Sequence, residues 1–197
     1  MHRFVFFALA VSALVWPSFA GASMWQIDSA HTSAQFAVRH LMVSTVRGTL
    51  GKVTGSVNLD ETDLTRSTVE ASVDVTGIDT REPKRDEHLK SPDFFDVEKY
   101  PAITFKSKKI TKLGETKFQV AGDLTMHGVT KEIVLDVEGT PKSIKDPMGK
   151  VRLGGIATTK LNRKDFGIVW NSAMDGGGVV VGDEVDVTID IELTQQP

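Results

Sequence analysis

Glu184-Val185-Asp186-Val187-Thr188-Ile189-Asp190-Ile191-Glu192-Leu193-Thr194 alternates without interruption, with Val185, Val187, Ile189, Ile191 and Leu193 in one phase and Glu184, Asp186, Asp190 and Glu192 in the other. A helix would spread these residues around its circumference, whereas a strand sends successive side chains to opposite faces. A period of two over this length therefore predicts a half-buried β-strand. The same alternation recurs at Val69, Ala71, Val73 and Val75, at Phe118, Val120, Leu124 and Met126, and at Ile133, Leu135 and Val137, each with charged or hydroxyl residues in the opposite phase. Weaker matches are Phe36 with Val38, Val46 with Leu50, Val53 with Val57 and Leu59, Ile103 with Phe105, and Val151 with Leu153 and Leu161.

Between Leu50 and Val53 the apolar phase slips by one residue, and Gly51 sits at the slip, as a bulge or bend in one long strand requires. Turn chemistry separates the runs at Leu113-Gly114-Glu115, Asp146-Pro147-Met148-Gly149 and Asp175-Gly176-Gly177-Gly178. The expectation is an all-β chain of about eight antiparallel strands, closed into an up-and-down barrel so that no long edge is left exposed. One segment, residues 82–95, breaks the pattern. Pro83 stands near a helix start and Ser91-Pro92 reads as an N-cap followed by a first-turn proline, predicting two short helical turns whose Leu89, Phe94 and Phe95, with Tyr100 beyond, cover a barrel end or flank.

Residues 1–22 read as a cleaved secretory signal peptide: Arg3, an apolar run over residues 4–16, then Ala20-Gly21-Ala22 before Ser23, with a cut after Ala20 as an alternative. The apolar run is shorter than the roughly 20 residues a membrane span needs. A periplasmic location follows, with residues 23–197 as one domain and no stable membrane insertion. The formal net charge of −3 becomes one unit more negative when Arg3 is removed, a balance that favours neither nucleic acid nor an anionic membrane surface. With 0 cysteines, disulfides, thiolate metal sites and a cysteine nucleophile are excluded.

The common enzyme signatures are missing: no Gly-x-Ser-x-Gly, no His-Glu-x-x-His, no phosphate loop and no dinucleotide fingerprint. His31 and His40 lie nine residues apart, an odd offset that puts them on opposite faces of a regular strand. His88 falls on the helical segment and His127 in a turn before Gly128, so no convergent histidine triad, and hence no metal site, is expected. The glycine run at residues 176–178 reads as a flexible hairpin loop rather than a phosphate nest, since no helix follows it. Arg85 and His88, with Asp86, form either a headgroup clamp at a pocket mouth or caps that tie the helical segment down. Arg163 either meets a polar ligand end or pairs with Asp165 in a strand-ending turn plugged by Phe166. Trp170 joins Arg85, His88 and Arg163 as a candidate for the mouth. The inward residues of the alternating runs line either a packed core or a hollow barrel, and an eight-stranded barrel is wide enough for one small ligand. They are Phe36, Val38, Val75, Phe105, Phe118, Val120, Leu124, Ile133, Leu135, Val137, Ile189 and Ile191.

The blocks Arg85-Asp86-Glu87-His88-Leu89-Lys90-Ser91-Pro92-Asp93-Phe94-Phe95-Asp96 with Tyr100-Pro101, Phe105-Lys106-Ser107, Gly122-Asp123-Leu124-Thr125-Met126-His127-Gly128-Val129-Thr130 and Asn162-Arg163-Lys164-Asp165-Phe166-Gly167-Ile168 follow one another in an order that resembles the YceI-like family of exported lipid-binding proteins. The resemblance spans about residues 25–193. It implies a lipocalin-like barrel with a hollow interior that holds a polyisoprenoid or another long-chain amphiphile for carriage, storage or sequestration. It also implies no catalysis, no cofactor beyond the bound lipid and the possibility of a homodimer. An isoprenoid quinone carrier linked to electron transfer, an enzyme acting on a bound lipid, and an outer-membrane barrel are the alternatives. The last needs aromatic girdles at both interfaces, whereas residues 23–197 hold Tyr100, Trp25 and Trp170 as their whole stock of Tyr and Trp.

Overall fold

A computed structural model describes residues 21–140, 142–173 and 177–197. The leader expected over residues 1–22 falls, for residues 1–20, outside the described residues, as do Asp175 and Gly176 of the glycine-rich turn. Among these residues eleven strands and one α-helix follow in the order β1 (Ser23–Ile27), β2 (Ser33–His40), β3 (Ser44–Thr49), β4 (Val53–Leu59), β5 (Thr68–Asp74), α1 (Pro83–Lys90), β6 (Ala102–Lys112), β7 (Lys117–Met126), β8 (Val129–Gly139), β9 (Ile144–Lys145), β10 (Val151–Asn162) and β11 (Val181–Gln195), with short 3-10 turns at Leu64–Arg66 and Arg163–Phe166.

All neighbours are antiparallel, and β11 closes the sheet by pairing with β10 on one side and with both β1 and β2 on the other. β1 with β2, β3 with β4, and β8 with β9 each share one position in the ring, so the strands occupy eight positions of a closed barrel. The break between β3 and β4 lies at Gly51, where the phase slip predicts a bend. A Cβ on Gly51 would fall 2.3 Å from the Asp74 carbonyl oxygen, so the strand turns where the wall of β5 comes too close for a side chain. The break between β1 and β2 has no comparable sequence mark. There the chain leaves the strand at Asp28, turns with His31 N–H donating to Asp28 O, and rejoins at Ser33.

Outside, the second phase of the strands carries ion pairs that cross between neighbours: Lys106 with Glu70, Lys108 with Asp123 and Glu132, and Lys160 with Asp186. An outer-membrane barrel has the opposite arrangement, with apolar side chains outward and polar ones inward. The geometry therefore removes that alternative. No described helix is long and apolar enough to cross a membrane.

The long connection from β5 to β6 carries α1, which begins where Pro83 predicts, with Glu82 as N-cap accepting from the Lys84 N–H at 3.2 Å. The second helical turn expected at Ser91-Pro92 is a run of hydrogen-bonded turns instead. Ser91 ends α1, its N–H and its hydroxyl both donating to His88 O, the latter at 2.8 Å, while its Oγ accepts weakly from the Asp93 N–H at 3.3 Å. One hydroxyl satisfies both the helix end and the turn, so no second helix is needed to use the proline.

Candidate functional site

The barrel is hollow. A cavity of about 790 Å³ runs through it, and its wall contains Phe36, Val38, Phe105, Phe118, Val120, Leu124, Ile133, Leu135, Val137, Ile189 and Ile191, the inward residues read from the alternation. Many of these are only half-buried although they point inward, because their free surface faces the cavity rather than other side chains. Val75 is the exception among the expected lining residues. It lies one residue past the end of β5, where alternation stops, and it is buried in solid core instead of facing the cavity. Ile110, which alternation misses, does face the cavity. A register shift between Ser107 and Lys109 in β6 moves the inward phase from odd to even positions after Phe105. Phe105 lies across Gly122 on the neighbouring strand, where a Cβ would come 2.6 Å from its ring.

The two ends of the cavity differ. At one end the lining comes from loops between β4 and β5, β6 and β7, and β8 and β9, and it includes the exposed Glu61, Glu115, Lys142 and Ser143. This end communicates with solvent. At the other end the lining is Leu89, Phe94, Phe95, Ile168 and Arg163, and none of the described residues there is exposed. Beneath the lining Phe94 packs on Trp170 at 5.3 Å between ring centroids, and His88 stands edge-on to both rings.

The residues expected at the mouth, Arg85, His88, Arg163 and Trp170, therefore all lie at the closed end, and three of them do not touch the cavity. Arg85 donates from Nε to Thr80 Oγ1 at 2.8 Å and from Nη2 to Thr80 O at 3.0 Å, while Asp86 accepts from the Thr80 N–H and hydroxyl. These two charges tie α1 to the loop before it. His88 faces Asp93 at 2.9 Å. Arg163 lines the cavity floor but is only 5% exposed, and its guanidinium is spent on four carbonyl oxygens, those of Gly182, Ile168, Trp170 and Val181. Burial pulls its pKa below the ordinary arginine value, opposed by Asp183 at 3.5 Å. It pairs with Asp183, not with the expected Asp165. Its work is to bind the segment after β10 to the start of β11, closing the barrel floor.

On the outer wall a charged cluster escaped the histidine spacing argument, which considered histidines alone. Asp28, His31 and Glu192 bring one ligand atom each to within 4.8 Å of one another. Arg152 already lies among them: its Nη1 donates to Asp28 Oδ2 at 2.7 Å and to Glu192, and its Nε donates to Asp146 Oδ2 at 2.7 Å. The His31 and Arg152 hydrogen bonds hold the Asp28 carboxyl well below the usual range, and the Arg152 hydrogen bond also lowers that of Asp146. The guanidinium fills the position a cation would take.

A family model for the YceI-like domain matches residues 25–193. The chain belongs to the YceI-like family. A UPF0312 protein of Vibrio parahaemolyticus is 38% identical over 170 residues, covering 85% of this chain and 89% of that protein. One of Staphylococcus aureus is 39% identical over 168 residues, covering 85% and 95%. Among solved structures, a Campylobacter jejuni YceI protein superimposes with a TM-score of 0.68 at 28% identity, covering 81% of this chain and 90% of that one. A polyisoprenoid binding domain from Saccharophagus degradans, implicated in plant cell wall breakdown, shares the fold with a TM-score of 0.64 at 11% identity, covering 87% and 98%. Seen in three dimensions, three of the family blocks in this chain build the closed end. The His127-Gly128 turn packs beside Tyr100, whose ring is 5.1 Å from that of His127, and His127 Nδ1 is 3.2 Å from Phe166 O.

Proposed function

We propose that this YceI-like chain is an exported binding protein that holds one polyisoprenoid, or a comparable long-chain amphiphile, inside its barrel for carriage or sequestration and does not transform it chemically. The observation that carries this reading is the closed-bottomed apolar cavity of about 790 Å³. At about 30 Å³ for each water-sized group it takes roughly 25 non-hydrogen atoms, the bulk of about five isoprene units. No histidine or aspartate stands among the described residues of its lining, and Glu61, Glu115 and Lys142, the side chains there suited to acid-base chemistry, lie at the rim rather than in the apolar interior. That distribution supports binding over catalysis. Export and a periplasmic location rest on the leader-like residues 1–22.

Each methylene taken from water into such a cavity contributes about 0.8 kcal/mol. A chain of this length would therefore approach the practical affinity ceiling near about −18 to −21 kcal/mol if it came from water. A lipid leaving a bilayer is already out of water, so the exchange is nearly neutral in that term and reversible. Trp25 gives a direct test, since its buried indole lines the cavity and donates to Ser23 Oγ at 2.8 Å. Titration with geranylgeraniol in dilute detergent is expected to change its fluorescence saturably at one molecule per chain. The shorter geraniol should bind more weakly, and the signal should vanish in Trp25→Phe. A flat titration with both alcohols overturns the reading.

A further inference from the structure

A chain that takes hydrocarbon from a bilayer must keep it out of water on the way, because each exposed methylene slows the passage about fourfold. The solvent-facing end of the barrel carries features suited to that task. β9 and the start of β10 raise one side of the wall beyond the rim, and the hairpin between them presents Ile144, 66% exposed, and Met148, 75% exposed. Leu113, 59% exposed, tips the next hairpin of the rim, which is joined to this side by the Gly139 N–H donating to Thr116 O at 2.8 Å. These apolar tips are held on rigid backbone. Asp146 accepts from the N–H groups of Met148 and Lys150, both at 2.9 Å, and from Arg152. Ile144, Met148 and Leu113 stand exposed among the described residues.

Around them stand Lys112, Lys142, Lys145 and Lys150, none of which has a carboxylate within 4.0 Å among the described residues, whereas Lys117 close by is 3.9 Å from Glu138. Glu115, two residues from Leu113, is the carboxylate on this side that lines the opening, while across the mouth the β4–β5 loop is acidic, with Glu61 facing the opening and Asp60 held by Arg66. Apolar side chains flanked by unpaired lysines on one side of the mouth fit the interface of an anionic bilayer. We propose that the raised β9–β10 hairpin docks the mouth, basic side first, onto an anionic phospholipid surface, so that a lipid tail passes between bilayer and cavity without crossing water. This deepens the carrier reading and rests on it.

The test uses the chain from residue 21 onward, which holds all the described strands of the barrel, and compares wild type with Ile144→Asp/Met148→Asp and with Lys145→Glu/Lys150→Glu. None of these four residues lines the cavity. Flotation with phosphatidylcholine vesicles, with and without phosphatidylglycerol, reads docking. Trp25 fluorescence with geranylgeraniol in detergent reads the cavity and the fold. Wild type should float with the phosphatidylglycerol vesicles and lose that association in high salt. The lysine variant should fall by about fivefold per lysine removed, and the Asp variant should stay unbound, while both keep the wild-type response to geranylgeraniol. Wild type that does not float, floats equally with both vesicle types, or is matched by either variant overturns the proposal. A protein partner or a second copy as the occupant would give the same overturning result. A wild type that floats but ignores geranylgeraniol sinks the carrier reading alone.

Discussion

Ile189→Trp separates a hollow barrel from a filled one. Ile189 sits mid-strand on β11, half-buried, facing the cavity and paired across the ladders with Ala157 and Ala34. In a close-packed core an indole in place of a sec-butyl group overpacks its neighbours and costs about 1–3 kcal/mol. Here the ring adds about six non-hydrogen atoms to a space that takes roughly 25, so it fills about a quarter of the space without pressing on the wall. Stability without ligand should stay within about 1 kcal/mol of wild type by urea melts. Capacity should shrink by about one isoprene unit. For a chain that needs the whole cavity this removes about five methylene-sized contacts, or about 4 kcal/mol of binding, read by titrating prenols of increasing length. Asp190→Asn is the control, since Asp190, next to Ile189, points outward and its Oδ2 accepts from Gln35 Nε2 at 3.1 Å. It should leave both readouts unchanged. A loss of several kcal/mol in Ile189→Trp with prenol capacity intact would refute the reasoning, because the interior at that level would then be packed.

Arg163→Met should cost about 3 kcal/mol in a urea melt, because charge-assisted hydrogen bonds are lost and several carbonyls at the cavity floor are left unpaired. A cost under about 1 kcal/mol would mean the arginine does not hold the floor. The Arg152 cluster should make stability pH-dependent. The Asp28 and Asp146 carboxyls are depressed in the folded state, so their contribution is fully present above the ordinary aspartate value of about 3.9 and is lost as pH falls through the depressed values. Arg152→Met should therefore lower the melting temperature at neutral pH, with the gap to wild type narrowing as the solution is made more acidic than about pH 4. A gap that does not vary with pH would contradict this. Gly51→Ala should destabilise by about 2 kcal/mol or more, since its Cβ would meet the Asp74 oxygen at 2.3 Å and force β4 away from β5. A neutral result in thermal melts would show that the bend tolerates a side chain.

Much of the barrel is written locally, and for a physical reason. One phase of each strand faces an apolar interior and the other faces water, so the period-two pattern in residues 184–194 fixes both the element and its inward face. Gly51 was readable because a bend leaves a phase slip. The bulge near Lys109 was not, since Ser107 and Lys109 carry no mark of the shift and only the later Ile110 betrays it. The roles of Arg85 and Arg163 were left open for a different reason: whether either meets a ligand or ties backbone depends on partners that no local pattern announces. The Gly182 and Val181 carbonyls take Arg163, and no spacing rule near Asn162 announces them. Likewise Asp28, Asp146, Arg152 and Glu192 meet only because β11 closes the ring between β1 and β10.

The central claim is that the barrel carries an apolar molecule, and native mass spectrometry of gently purified protein tests it most directly. The account predicts one long-chain apolar ligand per chain, seen as a mass excess that disappears on organic extraction and is recovered in the extract as a lipid of roughly 25 or more non-hydrogen atoms. Equal masses before and after extraction, from protein whose cavity is then found filled by its own side chains, would contradict it.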